Sequence, residues 1–150
     1  MIYKEEVKDL FSLPENYYLA QCISADFRMG AGIAVQFNRH FNIRNKLIEK
    51  YGYSFVDRWD AFSEYGSCIL EGRVYNLITK RNSWSKPTYD TLRSALKCMA
   101  DMVKNNPKVK YIGMPQIGCG LDKLKWDHVR IMIQEEFKYL NVEIVVCKLE

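Results

Sequence analysis

The sequence predicts an α/β fold: a largely parallel sheet with helices on both faces. Three observations predict it. The later half alternates strand, helix, strand, helix, strand, and parallel strands need helical crossovers of this kind. The stretch Tyr17-Tyr18-Leu19-Ala20-Gln21-Cys22-Ile23-Ser24 is nearly continuously apolar, as a strand covered on both faces should be. Two glycine-bearing turns, at Gly30-Ala31-Gly32 and Gly118-Cys119-Gly120, each follow a strand and precede a helix.

The elements follow in order. Ile2 to Val7 reads as a first strand, ending at Lys8-Asp9-Leu10-Phe11, and Ser12 to Asn16 as a loop before the apolar strand 17–24. Ile33, Ala34, Phe37 and Phe41 share one helical face, so the first glycine turn opens a helix. Residues 42–66 are polar and aromatic and read as short helix and loop. Ser67 to Thr79 reads as two strands around a Glu71-Gly72 turn, the second running into Lys80-Arg81. Leu92, Ala95, Leu96, Met99, Met102 and Val103 recur at helical spacing. That helix starts near Ser85-Lys86-Pro87-Thr88, where Pro87 suits the first turn, and stops at Asn105-Asn106-Pro107. Val109 to Ile112 reads as a strand feeding the second glycine turn. From about Trp126 a helix carries Val129, Met132, Ile133, Phe137 and Leu140 on one face, and Val142 to Cys147 is the closing strand.

Composition narrows the function classes. At 150 residues and 48% apolar content a single globular domain spanning 1–150 is expected. A net charge of +4 favours an anionic ligand but falls short of a dedicated nucleic-acid binder. No apolar run is long enough to span a membrane, and Met1-Ile2-Tyr3-Lys4-Glu5-Glu6 lacks a signal peptide's apolar core. An intracellular, cytoplasmic monomer is expected, nuclear access being open in a eukaryote. The five cysteines are odd in number and contain no Cys-x-x-Cys, which argues against a disulfide framework or a zinc site. Cys22, Cys68, Cys98 and Cys147 read as small core residues. Cys119 lies in the second glycine turn as a candidate nucleophile, without an evident base nearby. His40 and His128 have no metal-ligating partner at useful spacing, and no metal or cofactor is implied. Lys104, Lys108 and Lys110 read as a solvated cationic face.

The two turns carry the functional signal. Glycine lets backbone N–H groups approach a ligand without interference from a Cβ. Such turns lie at the carboxyl ends of strands, where open α/β sheets bind ligands. Successive N–H groups, and the helix N-terminus after Gly32, attract an anion such as phosphate. The first turn lacks the third glycine of the dinucleotide fingerprint. Two turns of this kind point to one diphosphate-containing ligand held between them.

The blocks Asp9-Leu10-Phe11, Cys22-Ile23-Ser24, Arg28-Met29-Gly30-Ala31-Gly32-Ile33-Ala34, Leu77-Ile78-Thr79-Lys80, Lys86-Pro87-Thr88-Tyr89 and Pro115-Gln116-Ile117-Gly118-Cys119-Gly120-Leu121-Asp122 resemble a macrodomain. The closer likeness is to the terminal ADP-ribose protein glycohydrolase branch. Their order and spacing cover nearly the whole chain. The resemblance implies a three-layer α/β/α fold with a mixed, largely parallel central sheet, and ADP-ribose as ligand. Asp9 and Leu10 would meet the adenine end. Gly30, Ala31, Gly32, Ile33 and Ala34, with Gln116, Ile117, Gly118, Cys119, Gly120 and Leu121, would clasp the diphosphate and distal ribose. Ser24 would line the pocket and Leu149 would close it. Lys8 stands where many macrodomains have glycine, and residues 51–66 are hard to match.

By the same resemblance Lys80 is the nucleophile toward the anomeric carbon of the distal ribose and Asp122 the acid/base. Lysine must be neutral to attack, which burial or a cationic neighbour such as Arg81 would favour. The implied activity is removal of ADP-ribose from glutamate or aspartate side chains, extending to nucleotide-linked and O-acetyl ADP-ribose. The implied partners are ADP-ribosylated protein and, through the basic face, ADP-ribosylated nucleic acid. The rival readings are an ADP-ribose-1″-phosphate phosphatase and a non-enzymatic ADP-ribose reader. Trp84, just after Lys80, is a candidate for the pocket rim.

Overall fold

A computed structural model describes residues 1–60 and 68–149. Six strands form one sheet in the order β1-β6-β5-β2-β4-β3. Their ranges are β1 Ile2–Val7, β2 Tyr17–Ser24, β3 Cys68–Glu71, β4 Val74–Lys80, β5 Tyr111–Met114 and β6 Glu143–Lys148. Every pairing is parallel except β3 with β4, which form a hairpin around the Gly72 turn. The predicted mixed, largely parallel sheet is therefore present. Four helices cover it: α1 Ile33–Phe41, α2 Ile43–Tyr51, α3 Tyr89–Lys104 and α4 Trp126–Phe137.

Two apolar cores form, one on each face, giving the three layers. Leu92, Leu96 and Met99 of α3 and Val129, Ile133 and Phe137 of α4 pack against Tyr75, Leu77, Ile112 and Ile144. On the other face, Phe37 of α1 and Leu47 of α2 join Leu10, Leu19, Ile78 and Val145. The helical spacing of these side chains in sequence is what places them on one face. A short 3-10 turn, Leu10–Ser12, belongs to this second layer, and its first turn is capped by Asp9, whose Oδ1 accepts a hydrogen bond from Phe11 N at 3.0 Å.

Three local expectations shift. The strand expected at Val109–Ile112 runs instead from Tyr111 to Met114. Val109 is buried, but its N–H goes to Asn106 O in the turn after α3, and sheet pairing starts where Tyr111 meets Glu143. Burial of a β-branched residue looks the same in sequence whether or not a ladder partner exists. Pro87 lies one residue before the cap of α3, not in its first turn. The cap is Thr88, in a reciprocal box with Thr91. Leu140 lies beyond the end of α4, in the turn to β6, and still packs on the core. The helix expected within 42–66 is α2; residues 61–66 of that stretch, and Ser67, lie outside the described residues.

Candidate active site

Because β1, β2, β4, β5 and β6 are parallel, their carboxyl ends share one edge of the sheet. A cleft of about 770 Å³ opens there, a size typical of small-molecule sites. Its lining includes Ser24 at the end of β2, Lys80 at the end of β4 and Lys148 at the end of β6, with the two glycine turns between. All of the residues expected at the site line it: Lys80, Asp122, Asp9, Leu10, Ser24, Gly30 through Ala34, Gln116 through Leu121, and Leu149. Leu149 is 86% exposed, so it stands at the mouth without covering it.

The first glycine turn is shaped by an unusual run of backbone. Phe27 and Met29 both have positive φ, 58° and 47°, a conformation that costs about 1–2 kcal/mol for a side-chain-bearing residue. Burial of both side chains holds them there. Gly32, at φ 63°, then caps α1, and a Cβ on it would lie 3.4 Å from Leu121 of the second turn. The two turns thus face each other across a narrow gap, with the N-terminus of α1 directed into it.

Lys80 and Asp122 meet. Lys80 Nζ donates to Asp122 Oδ1 at 2.8 Å, and the two side chains are only 15% and 18% exposed. They lie 42 positions apart in the chain. Asp122 precedes the first residue of α4 by four positions, so its place is set by the turn and by Lys80 and not by the helix dipole. Arg81 is not beside the amine as a cationic neighbour. Its Nη1 donates to Val56 O at 3.0 Å, and its guanidinium lies 5.5 Å from the centre of the Trp59 ring. Alternation along a strand end sends adjacent side chains to opposite sides.

Ser24 Oγ donates to Asp26 Oδ1 at 2.6 Å. The Asp26 carboxylate also accepts from Arg28 N at 3.2 Å and Ser83 N at 2.7 Å. Burial alone would raise the Asp26 carboxyl, but these hydrogen bonds outweigh it and hold it below its ordinary value. The thiols behave oppositely. Burial pushes Cys119 up to about 11, and its Sγ donates to Ile117 O at 3.4 Å. Burial, with the charge of Asp122, pushes Cys22 up to about 12. Both shifts disfavour the thiolate, and with it Cys119 as a nucleophile. Cys22, expected as a core residue, packs against the core and also lines the cleft.

Several lining residues carried little sequence signal. Phe11 stacks on His40, ring centres 4.2 Å apart and ring planes nearly parallel, and faces the cleft beside Asp9 and Leu10. Gln36 follows Ile33 by one turn of α1, a helical offset that could have flagged it. Cys147 and Lys148 line the cleft because β6 runs parallel to β5, which only the strand order reveals. Trp84, as expected, is at the rim, 70% exposed, with the Arg28 guanidinium 5.6 Å from its ring centre. Lys104, Lys108 and Lys110 are exposed where α3 ends and β5 begins, at the opposite edge of the sheet. Among the described residues no cluster of His, Cys, Asp and Glu could hold a metal ion, and no helix is long and apolar enough to cross a membrane.

A layered α/β/α sandwich with its cleft at the carboxyl edge is the architecture of solved macrodomains. The macrodomain of Thermus aquaticus DarG matches with a TM-score of 0.75 over 97% of both chains, at 22% identity. Thermosipho africanus DarTG in complex with ADP-ribose matches with a TM-score of 0.67 and 17% identity, over 93% of this chain and 39% of that one. No protein-family model matches the sequence. A curated relative is far nearer in sequence: human ADP-ribose glycohydrolase OARD1 is 40% identical over 142 residues, 94% of this chain and 88% of the relative. The chain belongs to the family of ADP-ribose glycohydrolase OARD1, and its fold is that of a macrodomain.

Proposed function

We propose that this chain is an ADP-ribosyl hydrolase that removes ADP-ribose from glutamate and aspartate side chains through a covalent intermediate on Lys80. One observation carries the reading. An amine and a carboxylate, both mostly shielded from water, lie 2.8 Å apart in a cleft that two glycine-bearing turns also line. The name of the human relative, ADP-ribose glycohydrolase, supports the reaction class. The ADP-ribose bound by the structural neighbour DarTG supports the ligand. We further read the whole of residues 1–150 as one macrodomain.

In this reading backbone N–H groups of the turns and the N-terminus of α1 take the diphosphate. The adenine end lies toward Asp9, Leu10 and Phe11, and the distal ribose toward Lys80. Asp122 Oδ1 takes a proton from the Lys80 ammonium, and the freed lone pair on Nζ attacks the anomeric carbon. The bond from that carbon to the carrier's carboxylate breaks, the carboxylate leaves with the electron pair, and the proton on Asp122 departs with it. Asp122 then takes a proton from a water that adds to the anomeric carbon. The carbon–nitrogen bond breaks and the proton returns to Nζ, which frees ADP-ribose and restores the starting pair. General acid–base catalysis of this kind contributes roughly 10²–10⁴-fold in rate.

The test is release of ADP-ribose from a glutamate-linked mono-ADP-ribosylated protein by wild type, Lys80→Ala and Asp122→Ala, with intact-mass spectra of each. Turnover by wild type, its loss in Lys80→Ala and a mass increment of one ADP-ribosyl group on Lys80 are expected. Full turnover by Lys80→Ala would overturn the mechanism. Release of inorganic phosphate from ADP-ribose-1″-phosphate, unaffected by Lys80→Ala, would replace the reading with a phosphatase.

A further inference from the structure

After Lys80 the chain has no helix or strand until Tyr89, yet this stretch begins at the reacting amine and carries Trp84. What holds it is therefore part of what aims Lys80. The backbone is tied once at its start, where Ala25 N donates to Lys80 O at 2.9 Å, beside a register irregularity between Ile23 and Ser24. Arg81 Nη1 holds it to Val56 O at 3.0 Å on one side, and the tie to the β2 end is a carboxylate. Asp26 is 10% exposed, and its two oxygens serve different segments. Oδ1 accepts from Ser24 Oγ and Arg28 N, both on the β2 side. Oδ2 accepts from Ser83 N, three residues beyond Lys80, and lies 3.8 Å from Arg28 Nε, whose guanidinium reaches over Trp84. A charged acceptor strengthens each of these hydrogen bonds relative to a neutral one.

We infer that Asp26 is a positioning residue for the hydrolase reaction: its carboxylate latches the segment 81–86 to the end of β2 and so fixes Lys80 against Asp122. The first glycine turn does not depend on this latch to the same degree, because α1 and the buried Phe27 and Met29 anchor it independently. The latch therefore acts on the chemical step more than on ADP-ribose binding. Asp26 itself transfers no proton, since each of its oxygens is occupied by donors from the protein.

This inference rests on the proposed hydrolase reading, so its experiment has an arm that does not need turnover. Asp26→Asn and Asp26→Ala would be compared with wild type in kcat, KM, ADP-ribose affinity by calorimetry and thermal midpoint. Asn keeps the volume but offers a single acceptor oxygen, and it serves if the Ala variant does not fold. The expected result is a kcat lowered by about 10- to 100-fold, the scale on which a misplaced reacting group costs rate, with ADP-ribose affinity near that of wild type. Unchanged kcat would overturn the latch, as would a kcat that falls only in step with affinity and thermal midpoint. If wild type itself releases no ADP-ribose, the functional reading fails and the latch is decided by NMR of the lysine ε-methylenes. A moved Lys80 signal with an unmoved Lys50 signal (Lys50 pairs with Glu71 elsewhere) supports it, and an unmoved Lys80 signal overturns it.

Discussion

In the proposed mechanism Lys80 gives its proton to Asp122 and attacks as a neutral amine. The carboxylate that accepts from Nζ at 2.8 Å is within reach to serve that mechanism as the base. Asp122→Asn keeps the shape and a hydrogen-bond acceptor but cannot take the proton. We expect kcat to fall by roughly 10²–10⁴-fold while ADP-ribose affinity stays close to wild type, as measured by single-turnover kinetics and calorimetry. Loss of affinity in proportion to rate would mean that Asp122 binds and does not catalyse. None of this was legible from the residues one at a time. Lys80 and Asp122 each read as ordinary solvated charges, and the family motif singled them out without giving a distance.

At the scale of elements, close approach decides what the sequence may carry. Gly113 in β5 leaves room for the 3-10 turn: a Cβ there would stand 2.3 Å from Leu13 Cδ1 and 3.3 Å from Leu10 Cδ1. Gly113→Ala should push that turn outward at about 1–3 kcal/mol, the usual range for an overpacked core. Because the same turn carries Asp9 and Leu10 at the cleft, ADP-ribose affinity should fall together with the urea midpoint. Unchanged affinity would show that the turn adjusts without moving the cleft. At the other end of the site, Thr88 caps α3 and accepts from Thr91 N at 3.1 Å. Thr88→Ala should cost about 1 kcal/mol, read as a lower thermal midpoint. α3 itself was clear in sequence because Leu92, Ala95, Leu96, Met99 and Val103 recur at helical spacing, and all five are buried. Its start was not, because a proline and a threonine side by side both favour a helix beginning.

Across the whole molecule, the edge strand β1 is fastened by Glu5. Its carboxylate accepts from Tyr3 Oη at 2.8 Å, Lys148 Nζ at 3.4 Å and the Arg130 guanidinium, tying β1 to β6 and α4. Arg130 foremost, against an opposing contribution from burial and aided by Tyr3, Trp126 and Lys148, holds the carboxyl down at about 2. The folded value lies below the unfolded one, so this stabilisation is complete above about pH 4.3 and disappears as pH falls toward 2. Glu5→Gln should therefore lose about 1–2 kcal/mol at neutral pH, and the gap to wild type should close near pH 2 in urea titrations. A gap of constant size across that range would mean that packing, and not charge, fastens the strand. β1 also leads into Lys8 and Asp9 at the cleft, so this clamp supports the site from behind.

By itself the sequence determined the layers, the parallel sheet and the two glycine turns, because periodicity and turn chemistry are local and each element shows them within its own residues. It also indicated where the cleft lies, since the carboxyl ends of parallel strands must share an edge, while the family resemblance supplied the names of most residues expected there. Only the tertiary structure decided that Lys80 and Asp122 touch, that Arg81 turns away to Trp59, that Cys22 and Lys148 face the ligand space, and that Asp26 joins two strand ends. Those facts depend on strand order, register and side-chain direction, which are set by contacts between segments far apart in the chain and leave no periodic mark within any one of them.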